Sequence, residues 1–450
     1  MSLRSVVVFA LTPFAVGIAV LGLYLLFSYS TLGRDNPRAV AQVVKAFKKG
    51  QLVEDPYQHP STTIGSHQWN DCLITMLAVD ERGDRLRLAL SPIIADFPQQ
   101  PEASLNPCKG LKALVSGAAL DPALYHYDRY VHGAAALLRF LLPHFEIKRI
   151  RALYRAGLTT VLVVGFGLSL IGIARGIRVR EFAVMATTFL VLLRFFGLEF
   201  FSQSLGHGPA DSVVALYALA VAAMLFAPSG PLLAVGLASL FGALTVILEL
   251  FTGGMPLGFA MVIGLSTLAV RAEARPQGVL LAAWAAAAFV IAAAVVYLLK
   301  LLAIASLEGY AVIADVIQRM RYYSMAAETG LDVRAFVGQL AASLGGLVGG
   351  MDLLAWAAVV GALLAGCYGA LSIYRHVADA ATRRQALLLV LSVPPVPLWF
   401  LVFANETGPH AWYADRLFAW PVAAGFGLFL LSVIARRQAP ADGLSQSRSA

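Results

Sequence analysis

The sequence predicts an all-α polytopic membrane protein with about ten transmembrane helices and a large loop of mixed α/β character after the first helix. Two observations predict this class. Of the 450 residues, 59% are hydrophobic and only 13% are charged, whereas soluble domains carry about a quarter charged residues. Apolar runs of about 20 residues also recur along the chain, and each can cross roughly 30 Å of hydrocarbon as a helix.

The first apolar run is expected to stay in the protein as a transmembrane helix. It is too long for the apolar core of a signal peptide and lacks a convincing small-residue cleavage site. The spans are predicted near residues 5–29, 157–174, 182–200, 211–228, 231–251, 255–270, 279–300, 353–374, 386–404 and 417–435. They divide the chain into a first helix (1–30), an extracytoplasmic loop with interfacial helices (31–156), helices two to seven (157–300), an extracytoplasmic insertion (301–352), helices eight to ten (353–435) and a polar cytoplasmic tail (436–450).

Basic residues in the short loops predict the orientation, since cytoplasmic loops carry an excess of lysine and arginine. If the N-terminus is cytoplasmic, the short basic clusters all fall on the cytoplasmic side: Arg4, Arg175, Arg178, Arg180, Arg271, Arg275, Arg375, Arg383, Arg384, Arg436 and Arg437. These clusters also account for the net charge of +8, so no nucleic-acid partner is expected. We therefore expect a multi-pass protein of a bacterial inner membrane, with both termini in the cytoplasm and the polar loops outside.

One segment, residues 133–155, leaves the number of spans open. It is apolar enough to suggest a span, but Arg139 and Pro143 interrupt it. As a span, it would move the cluster at Arg175 to the outside. As one or two amphipathic helices in the membrane interface, it would keep the orientation above and turn a basic face toward the headgroups.

Two of the three cysteines, Cys72 and Cys108, lie in the large loop, whereas Cys367 lies in a predicted span. Two cysteines in an oxidising compartment predict a disulfide, and two thiols that never meet are the alternative. Their spacing matches no zinc motif. No cofactor is indicated; a divalent metal is compatible with the chemistry considered below, but no residue spacing points to one.

The stretch "HQWNDC" (67–72) concentrates polar side chains before an apolar run. The pattern that follows, "LITMLAV", "DERGD" and "RLRLALSPII", predicts a β-hairpin or a small α/β insertion. Asp71 is a candidate general base at the edge of this unit, with Asn70 beside it, although both residue types are also common helix N-caps. Asp35, directly after the first span in the turn-like "STLGRDNPR", is a second candidate.

Other polar segments are predicted on the same side of the membrane. In "YHYDRYVHG" (125–133), an arginine near the headgroups suits a phosphate, although tyrosines at this level are often anchors. The connector "FANETGPHAWYADR" is more polar than a short loop requires. Lys300, at the end of a span, has an alternative role as the ion-pair partner of Glu249. The candidate side chains in these segments are Asp128, Arg129, His132, Lys300, Arg321, Asn405, His410 and Arg416.

The layout, together with "WNDC", "YDRYVHG" and "NETGPHAWYADR", resembles the GT-C superfamily of integral-membrane glycosyltransferases and, more closely, multi-spanning proteins of bacterial polysaccharide loci. The resemblance in topology covers nearly the whole chain, whereas the motifs are short. Such enzymes often have a DD, DE or ED pair just after the first span, and here that position offers only Asp35. The catalytic carboxylate therefore stays open among Asp71, Asp35 and Asp128.

The resemblance implies transfer of a hexose or pentose from a polyprenyl-phosphate carrier to a glycan or lipid-linked acceptor outside the cytoplasm. Direct displacement, with one carboxylate as general base, would invert the anomeric configuration. The implied phosphate ligands are Arg129, Arg321, His410 and Arg416, and the other implied substrate contacts are Asn70, His132, Lys300 and Asn405. The expected partners are the lipid bilayer, the sugar donor and the acceptor.

Two functions from other classes compete. A transporter or flippase of a lipid-linked or polar solute would need polar residues through the middle of the bilayer, but here they gather at the outer ends of the spans. A non-enzymatic membrane protein of polysaccharide assembly is the other alternative. Neighbouring genes for enzymes that make polyprenyl-phosphate sugars would favour the transferase.

Overall fold

A computed structural model describes most of the chain between residues 3 and 446. The described ranges are 3–55, 68–96, 106–117, 122–197, 203–249, 253–271, 277–323, 337–338, 341, 352–403 and 415–446. Within them, eight helices are long and apolar enough to cross a membrane: Ser5–Thr31, Ile147–Ala174, His207–Phe226, Pro231–Leu248, Gly278–Glu308, Leu353–His376, Ala380–Val402 and Arg416–Gln438. The chain is therefore an all-α polytopic membrane protein.

Helices far outnumber strands among the described elements. In chain order, these elements are α1 (Leu3–Thr31), α2 (Asn36–Lys48), α3 (Gln68–Val79), α4 (Arg85–Leu90), β1 (Ile93–Asp96), α5 (Pro107–Val115), β2 (Ala123–His126), α6 (Gly133–Leu141), α7 (Ile147–Ala174), α8 (Val179–Leu192), α9 (His207–Phe226), α10 (Pro231–Leu248), α11 (Gly254–Leu265), α12 (Gly278–Glu308), α13 (Ala311–Tyr323), α14 (Leu353–His376), α15 (Ala380–Leu391), α16 (Pro395–Val402) and α17 (Ala419–Gln446). A π-helical turn, Leu193–Gly197, extends α8. The predicted spans 182–200 and 255–270 correspond to α8 and α11, which are shorter than the eight helices above.

The bundle is held together by close helix contacts at glycine. A Cβ atom added to Gly242 of α10 would lie 2.1 Å from the carbonyl oxygen of Phe289 in α12, and one added to Gly425 of α17 would lie 2.3 Å from that of Ala362 in α14. Because lipid is as apolar as the side chains, close backbone packing stabilises helix pairs in a membrane. Large apolar side chains such as Leu363 stay exposed on the outer surface, as expected where lipid surrounds the helices.

Contacts between distant segments divide the bundle into two ends. At one end, which we call the insertion end, described residues of the segment 32–146 contact the last turns of α12 and the residues before α9. At the opposite end, the arginine end, Arg180 lies 2.9 Å from the Asp379 carboxylate and 2.7 Å from Gln438. At the same end, Arg178, between α7 and α8, donates to the backbone carbonyl of Leu268.

The described residues between α1 and α7 form a small α/β unit, and its two strands are not neighbours in sequence. Strand β1 pairs antiparallel with β2, with Ile93 opposite His126. The run "LITMLAV" belongs to helix α3, and "RLRLAL" forms helix α4 rather than the second strand of a hairpin. Asp84 explains the second difference, because its side chain accepts a hydrogen bond from the Arg87 backbone N–H and caps α4.

The segment 133–155 is divided between two helices. The first, α6, is a short helix whose residues are largely buried, and a Cβ atom added to Gly133 would meet Ile247 of α10 at 2.5 Å. Pro143 follows it closely, where a proline commonly follows a helix end. Helix α7 then begins at Ile147, ten residues before the predicted start of the second span, so residues 147–155 continue directly into a membrane-spanning helix.

Candidate functional site

A cluster of charged side chains joins the small α/β unit between α1 and α7, which we call the inserted unit, to the bundle. Arg87 of α4 donates from Nη2 to Oδ1 of Asp128 at 2.8 Å and to Oε2 of Glu308 at 2.7 Å, and its Nε also donates to Glu308. His126 lies 4.0 Å from the Glu308 carboxylate. Lys300 lies beneath this group, and we call the five residues the Arg87 cluster. One guanidinium therefore bridges two carboxylates that come from different parts of the chain.

Helix α12 fixes the turn that carries Asp128. The ammonium group of Lys300 donates to the backbone carbonyls of Asp128 and Tyr130, the latter at 2.9 Å. The hydroxyl of Tyr297, one turn earlier in α12, donates to the carbonyl of Arg129 at 2.9 Å. Lys300 is fully buried. Its contacts indicate that it positions this turn, in place of the predicted substrate contact or the alternative pairing with Glu249.

The carboxylates of the Arg87 cluster are partly exposed. The side chain of Asp128 is 15% exposed and that of Glu308 is 34% exposed. Burial alone would raise the pKa of Asp128, but the Ser91 hydroxyl, the Arg87 guanidinium and the nearby Lys300 charge together lower it below its ordinary value. Asp128 is therefore an ionised, accessible carboxylate at neutral pH.

Two neighbours of Asp128 that the sequence singled out have different environments. The Arg129 guanidinium lies 5.2 Å from the centre of the Tyr127 ring and is half-buried. His132 is buried, and its Nε2 lies 2.6 Å from the Tyr127 carbonyl. Burial, with a smaller effect of the Lys300 charge, lowers the pKa of His132 to about 3. A neutral, buried His132 does not fit the predicted contact with substrate.

Asp71 has no exposed surface, and its two carboxylate oxygens are both occupied. Arg151 of α7 donates to Oδ2 from Nε at 3.1 Å and from Nη2 at 2.7 Å. The backbone N–H of Leu205 donates to Oδ1 at 2.7 Å, and the hydroxyl of Ser204 donates to it at 3.1 Å. A general base must be reachable by the proton that it accepts. These contacts therefore give Asp71 a structural role and do not support the predicted catalytic one.

The residues around Asp71 are also packed. The Asn70 side chain is so close to Gly206 that a Cβ atom added there would lie 2.2 Å from its Nδ2. Cys72 and Cys108, for which the sequence predicts a disulfide, are joined by one, with their Cα atoms 5.0 Å apart. This bond ties α3 to α5. Asn70 thus packs one end of α3 against the bundle instead of facing an open site.

Arg416 lies in a buried cluster at the insertion end that is separate from the Arg87 cluster. Its guanidinium donates to Oδ1 of Asp211 at 2.5 Å and to Glu249, and His207 lies 3.2 Å from the same Glu249 carboxylate. All four residues are at least nine-tenths buried. Two carboxylates already surround the Arg416 charge, so this geometry does not support the predicted contact between Arg416 and a phosphate.

The remaining predicted residues lie apart from both clusters. Asp35 precedes α2, and its exposed side chain lies 3.8 Å from that of Arg38. Arg321 is exposed near the end of α13. Asn405 and His410 lie outside the described residues. The structure thus brings together Asp128, Arg129, His132 and Lys300, but not the other candidates.

Several residues of these clusters were not identified from the sequence. Arg151 falls on the same helical face as Ile147, Ile150 and Leu158, all of them fully buried. A cation on an apolar face is a signal for a buried ion pair, and it was available in the sequence. Asp211 gave a similar signal, since it is an ionisable residue at the start of an apolar span. Arg87 and Glu308 gave no such signal, because neither residue interrupts an apolar helical face or an apolar run.

Within the described residues, no group of three or more His, Cys, Asp and Glu side chains is arranged to hold a metal ion. The Arg87 cluster combines partly exposed carboxylates with cations, and we treat it as the candidate site. No family model, curated protein or solved structure matches the chain.

Proposed function

We propose that this protein is a membrane glycosyltransferase that takes a sugar from a polyprenyl-phosphate carrier and acts at the insertion end of the bundle. The Arg87 cluster is the observation that carries the proposal. It combines an accessible, ionised carboxylate with neighbouring cations, where the inserted unit meets the membrane helices. Direct displacement of a lipid phosphate requires both a base for the acceptor and positive charge for the leaving group.

Asp128 is the proposed general base. The acceptor hydroxyl gives its proton to Asp128 while its oxygen forms a bond to the anomeric carbon. The bond between that carbon and the phosphate oxygen breaks, and the polyprenyl phosphate leaves with the electron pair. Because attack and departure take place on opposite faces of the sugar, the product has the inverted configuration. The acceptor is a glycan or a lipid-linked glycan.

Arg129 is the proposed ligand of the leaving phosphate, since it is next to the base and half-buried. A guanidinium suits this role because its fork of donors matches phosphate oxygens. Lys300 acts through the backbone of the 128–130 turn and is a positioning residue.

The distribution of charge along the spans supports a reaction at one end over ion-coupled transport. Within the eight candidate spans, charged residues such as Asp211, Lys300 and Arg416 lie away from the middle of the helix, and the middle carries none. Transporters place ionisable residues near the bilayer midplane. We place the insertion end outside the cytoplasm of a bacterial inner membrane, because the short arginine-rich loops lie at the opposite end.

A reconstituted assay tests this function. The purified protein is placed in lipid nanodiscs with a panel of polyprenyl-phosphate hexoses and pentoses, and a native membrane fraction supplies the acceptor. We expect release of polyprenyl phosphate from at least one donor, and none from protein that was heat-inactivated. If no donor is consumed and the protein does not bind polyprenyl phosphate, the proposed function is wrong.

A further inference from the structure

We infer that a groove between α2 and the start of α7 binds the phosphate-bearing headgroup of an anionic lipid. The groove has a volume of about 520 Å³. Its lining consists of Gln42, His144, Phe145, Glu146, Lys148, Arg149 and Ala152. The groove shares no residue with the Arg87 cluster, so the inference is independent of the proposed function.

The groove has more positively charged than negatively charged side chains. Among the described residues, no hydrogen bond or ion pair engages the exposed side-chain charges of Lys148 and Arg149; the Arg149 guanidinium lies over the Phe145 ring, 5.2 Å from its centre. Glu146 is the single carboxylate in the lining, and two lysines of α2 and its C-terminal end, Lys45 and Lys49, already lie 2.8 and 3.1 Å from it. An anionic ligand would supply the missing negative charge.

The position of the groove along α7 favours a lipid headgroup over a soluble anion. The groove opens at the first turn of the 28-residue span Ile147–Ala174. At about 1.5 Å per residue this helix is longer than the roughly 30 Å of hydrocarbon, so its first turn extends to the level of the headgroups. Below it, the exposed side chains of Leu153, Val164 and Ile171 follow Arg149 on one helical face. A headgroup in the groove therefore allows its acyl chain to lie along an apolar stripe that runs down the same helix.

Membrane insertion does not require these cations. Orientation depends on basic residues in short cytoplasmic loops, and those loops lie at the arginine end. Basic side chains such as Lys148 and Arg149 at the insertion end oppose that bias. Their presence at this end is explained if they bind an anionic ligand, and a headgroup phosphate has the opposite charge.

Native mass spectrometry of the full chain tests the inference. The purified protein is titrated with phosphatidylglycerol, and the lipid retained by the wild type is compared with that retained by the Lys148→Ala/Arg149→Ala double variant. Each cation near a membrane surface contributes a factor of roughly 5 to the binding of an anionic lipid. We therefore expect the double variant to bind roughly 25-fold more weakly. The Arg436→Ala/Arg437→Ala variant, which removes two exposed cations at the arginine end, should bind like the wild type.

Three results can overturn the inference. Phosphatidylcholine, which has a phosphate but no net charge, should bind much more weakly than phosphatidylglycerol. Inorganic phosphate should compete only at far higher concentration, and equal competition would mean that the site takes a free anion. Equal retention of phosphatidylglycerol by the wild type and the alanine variant would also contradict us. If the alanine variant is unstable, Lys148→Gln/Arg149→Gln keeps polar side chains longer than alanine and removes the same charges.

Discussion

Asp71 and Arg151, 80 positions apart in the chain, form an ion pair from which solvent is excluded. The pair links α3 of the inserted unit to α7 of the bundle. Both side chains have no exposed surface, and Ser204 and Leu205 occupy the other carboxylate oxygen. This ion pair therefore fixes the inserted unit to the membrane helices. If either side chain loses its charge, the opposite charge is left buried without a partner.

Asp71→Asn should lower the free energy of unfolding by about 3–5 kcal/mol, because it leaves the Arg151 charge buried without its partner. Thermal unfolding in detergent, followed by intrinsic fluorescence, measures the loss. Asp35→Asn is the matched control, since Asp35 is exposed and its contact with Arg38 is at a surface, where such pairs contribute about 0–1 kcal/mol. Equal stability of the Asp71 variant and the wild type would contradict the structural role of Asp71.

Arg416→Met should also destabilise the protein by several kcal/mol, because Asp211 and Glu249 would then face each other in a buried site. Adding Asp211→Asn and Glu249→Gln to the same chain should restore part of the loss, since no buried charge then lacks a partner. The measurement is again thermal unfolding in detergent. A single variant with wild-type stability but weaker binding of polyprenyl phosphate would instead return Arg416 to the phosphate site.

The local parts of this structure were predictable, and the pairings between distant segments were not. The long apolar runs and the two cysteines of the large loop carry their own signals. The partner of Asp71 does not, because the ion pair depends on how the inserted unit packs on α7. The pattern around Arg87 misled for a local reason: the alternating "RLRLAL" favours a strand, but the Asp84 cap stabilises a helix. The Arg87 cluster could not be predicted because its residues come from three segments, α4, the 126–128 segment and α12, which meet only in the folded chain.

The stability of the protein should fall as the pH falls below about 6.5, and His132 should account for part of the loss. Its pKa is about 3 in the folded protein and about 6.5 in an unfolded chain. Between these values the unfolded state binds a proton that the folded state does not, which costs up to about 1.4 kcal/mol per pH unit. His132→Gln does not titrate, so its disadvantage in stability against the wild type should shrink as the pH falls. Parallel curves of unfolding free energy against pH for the two proteins would contradict this account.

Reporter fusions should place the two ends of the bundle on opposite sides of the membrane. Fusions after residues 176, 273 and 380 should report the cytoplasm, and fusions near 90, 330 and 409 should report the exterior, because arginine-rich short loops stay inside. Alkaline phosphatase activity marks the exterior, and fluorescence of a fused fluorescent protein marks the cytoplasm. A signal for the exterior at 176 would contradict the cytoplasmic location of the arginine end.

The initial rate of sugar transfer by Asp128→Asn tests the central claim most directly. The rate is measured in nanodiscs, per mole of folded protein, with Asp71→Asn and Asp35→Asn alongside. Loss of a general base lowers a rate by a factor of about 10² to 10⁴. We expect that loss for Asp128→Asn with polyprenyl phosphate still bound, and near wild-type rates for Asp35→Asn and for the folded fraction of Asp71→Asn. Wild-type transfer by Asp128→Asn, together with a folded but inactive Asp71→Asn, would contradict the assignment of the base to Asp128.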